Sequence, residues 1–362
     1  MPKRRHHFVP RFYLAAFQSA PRRVNVLSVD ATREIRDASL RHQCHKRKLY
    51  GNTDTIEDAL AVVEGRAARV LARIQSTETL PPVGSEDDEA LRALVAFQLL
   101  RTVTVAARMN TAMDKMTKQA HSHDERFSKD ELESVHFGLD DPVLLAIANV
   151  PNTLVATADL KSHLTTSAEG VFITSDNPAF KYNQYCEGID YQGITGSLAK
   201  GLQIFFPLTP KLCFVLYDGA IYSVPRSDRR IRRTVASPFD VAYINTMQLL
   251  SADHNVYFSD WERRRELQDL RAHVRHHRMD DPTVVVEYGH DTDPNRSLLH
   301  TFERTPNLKL SLSFMKVRWR ARSVSLHDRA HGYRKEVPMS PIPEPPEAYR
   351  GPATFSRFLG RR

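Results

Sequence analysis

Apolar residues recur along this chain with two different spacings, and where one gives way to the other sets out its architecture. Val24, Val26 and Leu27 form a β-rich run that returns through Ile35 after a polar Asp30-Ala31-Thr32 turn, which predicts a hairpin over 24–37. A helical stripe follows, Ile56, Leu60, Val63, Ala67, Val70 and Ile74, with Asp54 and Glu57 as its capping signal. Beyond the Pro81-Pro82-Val83-Gly84 break, Ser85 and Asp88 mark the start of a second helix. The pattern predicts one long helix over 86–118, apolar nearly all round between Leu91 and Val105 and therefore central and buried. Pro142 and Pro151 open further helical segments.

From residue 171 the runs become short, β-branched or aromatic and bounded by Pro and Gly. They predict strands at 171–174, 202–206 and 212–217, the last two joined antiparallel through Pro207-Leu208-Thr209-Pro210. A helix over 238–252, a strand at 256–258 and a heavily charged helix over 261–278 come next, the last with a narrow seam of Leu267, Leu270 and Val274. Strands are expected at 284–287 and 308–317. Prolines and arginines then displace the periodicity, so 323–362 reads as a flexible basic Pro-rich tail and 338–352 as an extended arm. The expected fold is α+β: a helical part over about 1–165 packed on a mainly antiparallel sheet over about 166–322, in one domain.

Composition narrows this picture only modestly. A chain of 362 residues with 41% hydrophobic content can bury a sizeable core. Its net charge is +8, but residues 318–362 hold ten Lys/Arg against four Asp/Glu, which is +6, leaving +2 for the remainder. Nucleic acid held electrostatically by the tail is thus one expected partner, a solvated end being the plain alternative. No run approaches the roughly 20 apolar residues of a membrane helix, so no membrane association and a cytoplasmic location are expected. Cys44, Cys186 and Cys213 lie far apart and read as reduced thiols. The oligomeric state is not legible.

The candidate chemistry is spread over four places. His7 precedes Pro10, which suits a helix start, with Tyr13, Leu14 and Phe17 on one helical face. A helix N-terminus disfavours imidazolium, so a neutral His7 suits a general base or a metal ligand, and equally a structural histidine bonded to backbone. Glu57 and Glu64 are seven residues apart on one helix line, either as working carboxylates or as ordinary helix-border residues. Gln98 and Arg101 interrupt the apolar helix. Arg101 is expected to be buried against a carboxylate of the Glu57–Glu64 helix, or else to present its fork to a ligand. Thr174-Ser175-Asp176-Asn177-Pro178 follows a strand, a position suited to catalysis or binding and also a good turn. His42, Cys44 and His45 are ligand types without a second pair, and Arg271 with His276 has a spacing that a segment so rich in Arg and His offers by chance. No phosphate-binding glycine loop or serine-hydrolase elbow is present in the sequence.

Taken together, His7-Phe8-Val9-Pro10-Arg11-Phe12-Tyr13-Leu14 with Phe17, Thr174 to Pro178, Phe206 to Pro210, and Asn245 on a later helix resemble the ordered motifs of a bacterial family, domain of unknown function 4238, over about residues 7–260. The resemblance implies no established activity. The residues themselves give two readings. The first is a metal-assisted phosphodiester hydrolase, nuclease-like, with His7, Glu57, Glu64 and Asp176 as catalytic groups, Gln98, Arg101, Asn177 and Asn245 on the substrate, and a divalent metal if the carboxylates converge; a role in bacterial defence is associated with it. The second is a non-catalytic nucleic-acid or protein interaction module whose polar residues form a structural buried network. The first requires His7 and Asp176 to share one site.

Overall fold

The computed structural model describes residues 5–47, 49–50, 55–168, 171–189, 193–224, 232–289, 297–306, 308–325, 328–329 and 332–335. The expected helix cap at Asp54 and the expected arm over 338–352 lie outside them. Strand β1 (Arg5–His7) leads into a single turn, α1 (Arg11–Leu14), and then the hairpin β2 (Arg23–Ser28) and β3 (Glu34–Ser39), as the alternation predicts, followed by β4 (His45–Arg47). Two helices pack antiparallel next, α2 (Thr55–Thr77) and α3 (Glu86–Leu100), the second capped by Ser85 as expected.

The long helix expected over 86–118 is in fact two. α3 ends at Leu100, and α4 (Val103–Ala120) leaves at an angle of 51°. Thr102 makes the break: its backbone is extended and its hydroxyl caps Val105 N, so the second helix restarts there. Among the described residues no single helix is long and apolar enough to cross a membrane. Short helices α5 (Lys129–Ser134), α6 (Pro142–Ala148) and α7 (Val150–Thr157) complete this region.

The middle of the chain supplies β5 (Lys161–Thr166), β6 (Thr174–Ser175), β7 (Phe180–Tyr182), β8 (Gln203–Thr209), β9 (Leu212–Tyr217), β10 (Tyr222–Ser223) and β11 (Arg233–Val235). Then come α8 (Pro238–Ser251), β12 (Asn255–Phe258), α9 (Arg264–Val274), the hairpin β13 (Thr283–Gly289) and β14 (Ser297–Glu303), β15 (Lys316–Val317) and α10 (Trp319–Arg322). The strand expected at 171–174 is shorter and later, because Asn245 takes the backbone groups of 171–173 with its own amide. Ile173 N donates to its Oδ1 and its Nδ2 donates to Val171 O. The expected strand at 308–317 is irregular up to residue 315, since its backbone is held by side chains instead: Leu310 N donates to Glu187 and Ser313 N to Asp240.

The fold is α+β with mainly antiparallel sheets. A five-stranded sheet runs β11-β5-β9-β8-β7 and a four-stranded one β3-β2-β12-β6; among the described pairs only β11 with β5 is parallel. Strands β8 and β9 read as continuous apolar runs rather than alternating ones because both faces of their sheet are covered. Ile204, Phe206 and Phe214 face the core shared with α2 and α3, whereas Phe205, Cys213 and Val215 face a second core with α8 and the 310–321 segment. The expected tail does not begin at 323. The Arg334 guanidinium meets Asp159 at 2.6 Å and donates to the carbonyls of Ala156, Ser197 and Ala199, so the chain is still docked there.

Candidate functional site: a polar knot beside an open cleft

The His6-His7 pair lies on a strand, so the two rings point to opposite sides of the chain. β1 pairs antiparallel with β4, placing His7 opposite His45, and Phe8 N then donates to Cys44 O at 3.0 Å. His7 is half-buried, with Nδ1 3.1 Å from Gln43 O. Burial, His45 and Arg11 hold its pKa down at about 4, so the ring is neutral as expected. The cause differs from the expected one: Pro10 is the extended N-cap of a four-residue helix, too short to present an effective dipole.

His6, not His7, meets the α2 carboxylates. Its Nε2 lies 3.4 Å from Glu57 Oε2, Nδ1 accepts from Tyr50 N, and the ring stacks on Tyr50. Two turns further along α2, Arg101 meets the helix and is 1% exposed. It bonds Glu64 Oε1 through Nη1 at 2.7 Å and donates from Nε to Phe8 O at 2.9 Å. With its amide oxygen turned toward the guanidinium, Gln98 accepts from Arg101 Nη2 and Nε at 3.1 and 2.8 Å. Arg101 is thus the interior clamp of the two expected alternatives, and its fork is taken up inside the protein.

The 174–178 segment and its partners form a second brace. Tyr13 donates its one proton to Pro207 O at 2.6 Å, so the 2.6 Å contact with Thr174 Oγ1 must be a bond donated by threonine. Asn177 reaches two ways: its Oδ1 accepts from Thr102 at the α3–α4 break, and its Nδ2 donates to Ser251 O and Oγ at the end of α8. Gln248 donates to Ser175 Oγ and Asn177 O. Asn177 and Asn245, read as substrate contacts, therefore work as backbone mimics that bind separate chain segments together.

Asp176 is the residue of that segment that lines a cleft. It is 5% exposed, and His42, His45, Lys46, Thr104 and His254 line the same cleft, of about 310 Å³. Its Oδ1 accepts from Asp253 N at 2.8 Å, and its Oδ2 from His254 N and Asn255 N at 2.9 Å each, closing the α8–β12 turn. Burial pushes its pKa up to about 6 against those three N–H groups, which favour the anion. Tyr257 and Cys44 form the inner wall, joined Sγ to Oη at 3.3 Å. Burial and the nearby Asp176 raise the Cys44 pKa, so this thiol is no nucleophile.

The expected catalytic set is accordingly divided. Glu57 and Glu64 belong to the polar knot, Asp176 to the cleft, and His7 is absent from the cleft lining, with Phe8 on the wall instead. Among the described residues no group of three His, Cys, Asp or Glu side chains is placed to hold a metal ion. Sequence reasoning missed His6, Thr102, Thr104 and His254. Period-two orientation along a His-His strand would have found the first.

A family model described as "Protein of unknown function (DUF4238)" matches residues 5–262. The chain belongs to that family. No curated protein and no solved structure matches it. The matched span ends at the start of the charged helix, so it contains both braces and the whole cleft. Within it the four motifs that carried the resemblance meet one another: Tyr13 bonds Thr174 and Pro207, and Asn245 holds the strand entry before Thr174.

Proposed function

We propose that this DUF4238 protein is a non-catalytic interaction module for nucleic acid, with its buried polar residues serving architecture. One observation carries this reading: each carboxylate suited to chemistry is already engaged inside the protein, Glu64 by Arg101, Glu57 by His6 and Asp176 by three backbone N–H groups. The cleft is lined by the cations Arg33 and Lys46, with His42, His45 and His254 and the one further carboxylate of Asp253 beside them. The chain's +8 charge favours a polyanion, and exposed Trp319, with the Arg320 guanidinium 5.1 Å from its ring centre, is a platform of the kind on which bases stack. The reduced cysteines suit a cytoplasmic setting, and the family resemblance a bacterial one.

Fluorescence anisotropy with single- and double-stranded RNA and DNA at two salt concentrations tests the proposal. Binding that weakens steeply with salt, without turnover, is the expected result. The alternative of phosphodiester hydrolysis is favoured by one feature, Asp176 with its raised pKa beside three histidines on the cleft. Cleavage of any of these substrates that disappears in Asp176→Asn would replace the binding module with a hydrolase.

A further inference from the structure

We propose that the cleft between the 42–46 loop, the start of α4 and the 253–255 turn is a phosphomonoester subsite that takes the terminal phosphate of a nucleotide or of a nucleic-acid strand. The nucleic-acid source of that phosphate rests on the function proposed above; the subsite itself does not.

Size sets the first limit. A cleft of about 310 Å³ lies at the small end of ligand pockets, enough for a phosphate with its attached sugar. The two flanking nucleosides of a mid-strand phosphodiester would have to lie outside it. Charge sets the second. Arg33 reaches the cleft from the β2–β3 connection and Lys46 from β4, and His42, His45 and His254 also line it, so cationic and polar groups arrive from several directions at once. That suits a tetrahedral dianion with three terminal oxygens better than a planar carboxylate.

The third observation is the helix. α4 has 18 residues, and Val103 and Thr104 of its first turn form part of the cleft wall. Its first turn carries no acidic residue, whereas that of α3 carries four, so the positive end of α4 is not neutralised by its own sequence. Thr104 is 7% exposed and its hydroxyl has no hydrogen-bond partner among the described residues, a buried donor on the wall that an anion would satisfy. Two carboxylates share the lining, Asp176, which already accepts from three N–H groups, and Asp253, whose Oδ2 lies 3.6 Å from His254 Nε2, and the cations Arg33 and Lys46 stand against them.

The test uses one oligonucleotide with a 5′-phosphate or a 5′-hydroxyl, a nucleoside monophosphate, and inorganic phosphate, titrated into the whole chain and into two variants. Arg33→Gln/Lys46→Gln changes exposed side chains, with a melting curve as the control for folding; Thr104→Val removes the hydroxyl at constant shape. The phosphorylated strand is expected to bind at least about tenfold tighter than the hydroxyl strand. The double variant should erase the difference and Thr104→Val should narrow it. If both strands bind equally and phosphate does not compete, the subsite is overturned while nucleic-acid binding stands. If neither strand binds but inorganic phosphate and the monophosphate bind the parent and not the double variant, the subsite stands and the nucleic-acid reading falls.

Discussion

Arg101 and Lys46 are both cations near Phe8, yet they live under opposite physical conditions. Around Arg101 the fork is taken up by Glu64, Gln98 and Phe8 O, and water is shut out. In the cleft, Lys46 is exposed and Thr104 keeps a buried hydroxyl without a partner. Polar groups joined in the interior set which way the chain folds, because removing Arg101 leaves the buried Phe8 O and Gln98 amide without their donor. Polar groups at an open wall contribute little to stability and are available for a ligand.

The largest expected effect follows from that contrast. Arg101→Ala should destabilise the protein by about 3 to 5 kcal/mol in denaturant or thermal unfolding, because it leaves Glu64 and Phe8 O without their donor. A variant that unfolds like the parent would mean that the knot is not dry.

Asp176 sits between the two regions and should show an intermediate effect. Asp176→Asn puts an amide where three N–H groups converge, at a cost of about 1 to 3 kcal/mol. The pH dependence gives a sharper test. With its folded pKa raised to about 6, Asp176 contributes stability that is present below its unfolded value near 4 and lost as pH rises through 6. The Asn variant should lack that loss.

His7 should do the reverse over nearly the same range. Its folded pKa is lowered to about 4, so its contribution is present above about 6.5 and disappears as pH falls through 4. His7→Gln should reduce acid destabilisation in urea melts between those values without removing it, since His163 is held down to about 4 as well. Equal acid sensitivity in parent and variant would place His7 in solvent.

The smallest stability effect is expected at the cleft rim. Lys46→Gln should shift unfolding by less than about 0.5 kcal/mol, yet lower the salt slope of nucleic-acid binding by about one. A large stability loss would move Lys46 from the open region to the sealed one.

Legibility in the sequence followed the same divide. The α2 stripe, the 24–37 hairpin and the β8–β9 pair could be read because apolar spacing alone specifies them. Strand β5 could not: Lys-Ser-His-Leu-Thr-Thr is too polar to announce a central strand, and it is one only because β9 and β11 flank it. The helix break at Thr102 was hidden for a similar reason, since its hydroxyl is a cap only when the chain already turns there. Of the site residues, burial and pairing of Arg101 followed from one charge in an apolar stripe. The division between knot and cleft did not, because Asp176, His254 and Lys46 are brought together by β6, β12 and β4, which no local pattern connects.

The docking of Arg334 bears on the order in which the protein is made. Its guanidinium fastens the end of α7 to the 197–199 segment, across a separation of 178 residues from Ala156. Strands β5, β8 and β9 have all left the ribosome long before residue 334 is added. Asp159 therefore has to wait for its cation until residue 334 has been made, and the early segment is fastened only by a late one.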